Sequence, residues 1–179
     1  KDMILVPGGP DAERLAAMSA GKIDAAIFNS STVPIAKRMG LIELVKIPDL
    51  KVEVQGNGMA TTRAYIKTNR DIVKSALKGY IEGINFIFSN KQAAQKVFAK
   101  YMRTNDADVL ESSYQAYVST TPKKPYPTLK GLQFLLDRLA PTMPQAKTAK
   151  PEQFVDMSFL QELEKEGFFN EMVKRYPGK

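Results

Sequence analysis

The sequence predicts an α/β protein whose first part alternates short strands with helices and whose later part is helical. Three short apolar runs, at residues 3–6, 23–28 and 41–47, are each bounded by turn-forming residues, as buried strands are. Two stretches with helical apolar spacing separate the runs and end at Gly21 and Gly40, where a left-handed C-terminal cap belongs. This β-α-β-α-β order with short connections predicts parallel strands joined by crossover helices.

The pattern changes between residues 50 and 60. Residues 51–55 alternate between polar and apolar, and residues 59–66 predict one more strand. Beyond that point the apolar spacing predicts only helices, at about 70–89, 91–102, 106–119, 128–139 and 156–165, with a short last helix after Gly167. Helix-capping residues are predicted at Asp11, in a capping box over 68–71, at Thr128 and at Asp156.

The composition argues against most kinds of enzyme. The chain has 179 residues, 44% of them hydrophobic, which is enough for one domain or two small lobes. It contains no Cys and no His, so the commonest metal ligands and the Cys and Ser-His nucleophile systems are missing. No carboxylate pair is embedded in apolar sequence in the way that would raise a pKa for acid–base work. We therefore expect no catalytic residue, no metal site and no cofactor.

The positive charge is concentrated in one stretch. The net charge is +7, and residues 60–104 carry nine basic side chains against two acidic ones. These basic residues fall between apolar positions of helical period, which is typical of the solvated faces of helices. No aromatic residues are interleaved for base stacking, so a nucleic-acid partner is not expected.

Two polar loops follow the first two predicted strands, at the edge where parallel sheets bind ligands. They contain Gly8 and Gly9 after the first strand, and Asn29, Ser30, Ser31 and Thr32 after the second. Both loops lead into predicted helix N-termini, where free N–H groups and the helix dipole attract anions and carbonyl groups. Ordinary helix capping explains the second loop as well as ligand binding does, and it explains the first loop better.

A third candidate lies at Gly56-Asn57-Gly58, followed by Arg63. The glycines suit a hinge or a close approach of the backbone to a ligand. Arg63 has the geometry to hold a carboxylate, sulfonate or phosphate, although a surface salt bridge is the commoner role of such a residue. The acidic residues 162, 164 and 166 are interpreted as a solvated helix face, and residues 106 and 108 as part of a helix N-terminus.

Several segments, taken in order, resemble one known family. They are Gly8-Gly9-Pro10-Asp11, the run from residue 12 to 18, Gly21-Lys22-Ile23-Asp24-Ala25-Ala26-Ile27, Gln55-Gly56-Asn57-Gly58, residues 62–66 and 80–84, Pro125-Tyr126-Pro127-Thr128 and residues 154–156. Together they resemble the periplasmic substrate-binding proteins of ABC importers for alkylsulfonates, taurine and nitrate, the NMT1/THI5-like family. No single segment is specific, but their order and spacing cover nearly the whole chain.

The resemblance implies a type II periplasmic-binding fold, with two α/β lobes and a ligand cleft between them. Residues 1–52 would form the later part of the second lobe, and residues 53–179 the hinge return and the C-terminal part of the first lobe. Members of the family are longer, so the strands that begin the first lobe would be absent. The start of the chain carries no initiator Met and no signal peptide, and we expect a processed chain or an internal fragment.

The resemblance also implies a function: binding a small anion or polar organic molecule, such as a sulfonate or nitrate, for an ABC importer. The partners would be that ligand and the membrane subunits of the importer, in the periplasm or another extracytoplasmic space. Self-association through surface left by the missing lobe stays open. One alternative is a sensory or regulatory domain of the same fold. Another is a protein of thiamine-pyrimidine synthesis, but those relatives use a His, and this sequence has none.

Overall fold

The regular secondary structure of the described residues is helical. The computed structural model describes residues 3–50 and 52–177, apart from the side chain of Pro48. Expectations that concern residues 1–2 and residue 51 lie outside the described residues. Within them the α-helices are α1 Asp11–Ser19, α2 Val33–Arg38, α3 Arg63–Thr68, α4 Arg70–Ser89, α5 Lys91–Met102, α6 Ala107–Thr120, α7 Leu129–Leu139, α8 Ser158–Lys165 and α9 Phe168–Arg175.

The predicted α/β class is wrong, because the described residues contain no β-strand. The βαβαβ unit and the type II periplasmic-binding architecture are therefore not observed. The segments predicted as strands lie outside any strand ladder, and their apolar side chains are exposed, at 88% for Ile4, 72% for Ile27 and 83% for Leu44. An apolar run shows that a segment can be buried in a sheet, but a strand also needs a neighbour to complete its backbone hydrogen bonds. Over the residues that the structure describes, no strand pairing supplies them.

The predicted helices are confirmed, with boundaries shifted by a few residues at most. A helix satisfies its backbone hydrogen bonds within itself, so local spacing is enough to predict it. Gly21 and Gly40 adopt the expected left-handed conformation, with φ of 66° and 82°. Where residues 59–66 were expected to form a strand, the chain turns at Thr62 into α3 instead.

The predicted caps have mixed outcomes. Thr128 caps α7, because its hydroxyl oxygen accepts a hydrogen bond from the Gly131 N–H at 3.2 Å. Asp156 accepts a hydrogen bond from the Ser158 N–H at 3.0 Å, but it is not the predicted cap, because Met157 is the N-cap of α8. The capping box over 68–71 is wrong, because the Thr68 hydroxyl donates back to the Ala64 carbonyl at 3.2 Å. Asp11 is not a cap either, since it is the first residue of α1 and Pro10 precedes it as the N-cap.

The chain divides into two compact units. Unit 1 comprises Lys1–Lys46 and Lys91–Thr120. In it, α6 packs against both α2 and α5. Its buried hydrophobic residues are few and mostly small: Ala36, Ala94, Val109 and Tyr114.

Unit 2 comprises Ile47–Asn90 and Thr121–Lys179. Here α9 packs against α4 and α8, and α7 packs against the short 3₁₀ turns Pro144–Lys147 and Pro151–Phe154. One cluster of larger side chains forms the core, and its buried members are Ile81, Leu160, Leu163, Phe169 and Met172. The predicted boundary between lobes near residue 52 stays a prediction.

Candidate functional site

The first candidate loop, Gly8-Gly9, is shaped by Arg14 from α1. The Arg14 guanidinium folds back and donates a hydrogen bond to the Gly9 carbonyl oxygen. A Cβ atom on Gly8 would lie 2.8 Å from the Cγ atom of Arg14, and Gly9 has a φ of 65°, where a side chain is strained. The two glycines are therefore needed for this turn, whether or not a ligand binds there.

The Asp11 carboxylate joins the first candidate loop to the second. Its Oδ2 atom accepts the Asn29 backbone N–H at 2.8 Å and the Thr32 hydroxyl at 2.7 Å. Its Oδ1 atom accepts the Asn29 side-chain amide at 3.2 Å and the Arg14 guanidinium. Gly9, Asn29 and Thr32 are thus brought together in unit 1 through two residues, Asp11 and Arg14, that were not predicted as site residues.

The pKa of Asp11 reflects this environment. Partial burial of the carboxyl raises its pKa, but the Asn29 N–H, the Thr32 hydroxyl and the Arg14 charge together hold the pKa below the ordinary value of 3.8. The group is therefore a carboxylate at neutral pH. Its negative charge is balanced by Arg14, three positions along the same helix.

The middle of the second loop has uncommitted hydroxyl groups. Ser30 and Ser31 are half-buried, and in the described part of the chain their hydroxyls have no hydrogen-bond partner. The loop is fixed instead through its backbone, because the Ser112 hydroxyl of α6 donates to the Ser30 carbonyl oxygen at 2.7 Å. Ser30 and Ser31 therefore combine a fixed position with free donors and acceptors.

Beside this loop, α2 and α6 border an open groove of about 410 Å³. Arg38 of α2 pairs with Asp106 and, at 3.1 Å, with Asp108. Asp106 also accepts the Val109 N–H at 3.2 Å, which confirms its predicted place at a helix N-terminus. The lining residues are Val33, Pro34, Lys37, Arg38, Asp108, Glu111 and Ser112. Each charged residue among them is already ion-paired, so the groove offers no unpaired charge to a ligand.

The third candidate lies in unit 2. The Gly56-Asn57-Gly58 turn is held by Gln55, whose side-chain amide donates to the Asn57 carbonyl oxygen at 3.0 Å. Arg63 donates to the Gln153 carbonyl oxygen at 2.6 Å. Its guanidinium is exposed and donates to a protein carbonyl, and within the described part of the chain it does not form the salt bridge considered as its alternative role.

The acidic residues of α8 are more than a solvated face. The Glu162 carboxylate accepts hydrogen bonds from Arg70 and, at 3.4 Å, from Lys74, both on α4. The Glu164 carboxylate accepts hydrogen bonds from Lys124 and, at 2.8 Å, from the Tyr126 hydroxyl. Arg70 and Lys74 belong to the basic stretch at 60–104, so part of its positive charge is neutralised within the fold. Lys74 is half-buried, and the other charged side chains of these pairs are exposed. Such surface pairs contribute little to stability.

In the described part of the chain, no helix combines the length and apolar character needed to cross a bilayer. Over the same residues, no three Asp, Glu, His or Cys side chains group as metal ligands.

A protein-family model described as NMT1/THI5 like matches residues 1–94 of the chain. That match covers both candidate loops, the Gly56–Gly58 turn and Arg63. No curated protein and no solved structure matches the chain.

Proposed function

Since the chain belongs to the NMT1/THI5-like family, whose proteins bind substrates or resemble those of thiamine-pyrimidine synthesis, we propose that it is the solute-binding component of an ABC importer. It binds a small polar organic molecule or anion, and the site includes the Asn29–Thr32 loop. The observation that supports this loop most is the pair of uncommitted hydroxyls on Ser30 and Ser31, held in place by Asp11 and Ser112. Its place would be the periplasm or another extracytoplasmic space.

We propose binding without catalysis. The sequence contains no His, and the carboxyl groups with a perturbed pKa at the first loop and on α8 are lowered, as structural ion pairs are. Acid–base work at neutral pH requires the opposite shift for a carboxylic acid. This also disfavours a pyrimidine-synthesis enzyme, while a sensory domain stays an alternative with the same ligand chemistry.

The test begins with native mass spectrometry of the purified protein, which reports any ligand carried through purification. A thermal-shift screen then compares sulfonates, nitrate, carboxylates and pyrimidines. A ligand at about 100 times its Kd stabilises the folded state by about 2.7 kcal/mol, which raises Tm by several degrees in a protein of this size. A protein that responds to none of these classes would contradict the binding function.

Two variants locate the site. The double variant Ser30→Ala and Ser31→Ala should reduce the ligand response, because it removes the free hydroxyls. Ser75→Ala, an exposed serine on α4, is the matched control and should leave the response unchanged. Importer function is tested separately: deleting the gene should abolish cellular uptake of the ligand, and osmotic shock should release the protein. Uptake that survives the deletion would favour the sensory alternative.

A further inference from the structure

Four hydrogen-bond donors converge on the Asp11 carboxylate. They come from Arg14, from Asn29, which contributes its backbone N–H and its amide, and from the Thr32 hydroxyl. An ionised carboxylate accepts about four hydrogen bonds through its two oxygens. The two oxygens of Asp11 each accept two, so the carboxylate is saturated. Among the described residues the Arg14 Nε–H has no partner, but it is buried and therefore not open to a ligand.

The same donor set is what a free oxyanion would need. A guanidinium, a backbone N–H, an amide and a hydroxyl are the groups that hold sulfonates, nitrate and carboxylates in proteins. Here a side chain of the protein occupies them. An incoming anion would meet donors that are already used and a like charge beside them, and both effects oppose its binding.

The charge of the cluster formed by Asp11, Arg14, Asn29 and Thr32 also argues against an anionic ligand. Asp11 and Arg14 form an ion pair, so the cluster has no net charge to attract an ion. The groups that remain available, the Ser30 and Ser31 hydroxyls, both donate and accept hydrogen bonds. Such groups suit an uncharged ligand that carries donors and acceptors of its own.

We propose that Asp11 is a specificity-determining residue that excludes anions from the Asn29–Thr32 loop, so that the loop takes an uncharged polar ligand. This inference rests on the proposed function, because it concerns the ligand of the same loop. It makes a claim that can be tested with a simple ion, before the natural ligand is known.

The experiment titrates sodium sulfate, at constant ionic strength, into the ¹⁵N-labelled protein and follows the Asn29 amide resonance. In the wild type we expect no saturable shift up to tens of millimolar. In Asp11→Ala the vacated donors should bind sulfate, with an apparent affinity at least tenfold higher than in the wild type. Asp24→Ala removes an equal charge from an exposed position in the same unit and should behave as the wild type.

Asp11→Asn is the second variant, because it keeps the size of the side chain, removes its charge and replaces one of its two acceptor oxygens with an amide donor. If Asp11→Ala does not fold, Asp11→Asn must show the gain of sulfate binding. Saturable sulfate binding at Asn29 in the wild type would overturn the inference, and so would a folded variant without any gain. The ligand screen distinguishes a failure of this inference from a failure of the proposed function. If the ligand that stabilises the protein most is an anion and it shifts the Asn29 amide resonance, only the role of Asp11 is refuted. If no class of ligand stabilises the protein, the binding function is refuted.

Discussion

The backbone N–H of Thr128 donates a hydrogen bond to the Oε1 atom of Gln55 at 2.9 Å. This contact lays the backbone of Val54 and Gln55 across the first turn of α7, where Gly131 is buried. A Cβ atom on Gly131 would lie 2.6 Å from the backbone nitrogen of Gln55 and 2.9 Å from the carbonyl carbon of Val54. Only glycine permits this approach, because the opposing atoms belong to the backbone.

Gly131→Ala should therefore destabilise the protein, although alanine is the better helix former. The gain in helix propensity is about 1 kcal/mol, and overpacking against the backbone typically costs about 1–3 kcal/mol. We expect a net loss of up to about 2 kcal/mol in the free energy of unfolding, measured by urea denaturation.

Gly79→Ala in α4 is the matched control for that substitution. It makes the same change inside a helix, but a Cβ atom there meets nothing within 4 Å. It should stabilise the protein by about 0.5–1 kcal/mol. If both substitutions stabilised the protein equally, the close approach at Gly131 would not exist in solution.

The helices could be predicted from the sequence, and the sheet could not. The spacing of apolar residues placed α4 at 70–89, and the structure has Arg70–Ser89, because each helical hydrogen bond spans four residues. The runs at 3–6 and 41–47 have the composition of buried strands, yet whether a strand forms depends on distant partners that local composition does not reveal.

The candidate site was predicted in part for the same reason. The polar loop at Asn29–Thr32 was recognised from its residue types. The partner that orders it, Asp11, lies eighteen residues before Asn29 and was interpreted only as a helix cap. A local signal did exist, because Asp11 and Arg14 are three positions apart and pair on the first turn of α1.

A second prediction concerns the end of α5. Arg103 has a φ of 53°, the left-handed conformation that usually belongs to glycine at this position. The Thr104 N–H closes the turn by donating to the Ala99 carbonyl oxygen at 3.2 Å. Arg103→Gly should relieve the strain and stabilise the protein by about 0.5–1 kcal/mol, measured as a rise in the urea midpoint.

Arg103→Ala provides the control, because it removes the charge and keeps the Cβ atom. It should give no comparable rise. Equal stabilisation by Gly and Ala would show that the charge of Arg103, and not strain in its backbone, destabilises the wild-type protein.

The third prediction concerns the two compact units. In unit 1 the buried hydrophobic residues include two alanines, whereas unit 2 buries a cluster of large side chains around Leu163. Burying a large apolar side chain contributes about 1.5–3 kcal/mol, so local opening should cost less in unit 1. Hydrogen exchange followed by mass spectrometry should show faster exchange in α2 and α6 than in α8 and α9. Protection of the same degree in both pairs of helices would contradict this.

The last prediction concerns the dependence of stability on pH. Among the residues that the structure describes, eight carboxyl groups have a pKa held below the ordinary values of 3.8 for Asp and 4.5 for Glu. At Asp11 the largest single effect is partial burial, which raises the pKa; at all eight, hydrogen bonds and nearby cations together outweigh burial and lower the pKa. The eight groups are Asp11, Glu43, Glu82, Asp106, Glu111, Asp156, Glu162 and Glu164. At a pH between the folded and ordinary values the unfolded chain binds more protons, so stability rises with pH there. Their contribution is present above about 4.5 and is lost as the pH falls through the folded values.

At alkaline pH the sign reverses. Hydrogen bonds from Lys74 to Glu166 and Glu162 raise the pKa of Lys74 above 10.5, so its contribution is present below that value and is lost as the pH rises through the folded pKa. Because the chain has no His, we expect the free energy of unfolding to be nearly constant from about pH 6 to 8 and to fall on both sides. Urea denaturation across pH 3–11 measures this curve. In high salt the decrease in the free energy of unfolding at acid pH should be smaller, since exposed ion pairs are screened. A step in stability near pH 6.5 has no source among these groups and would contradict the assignment.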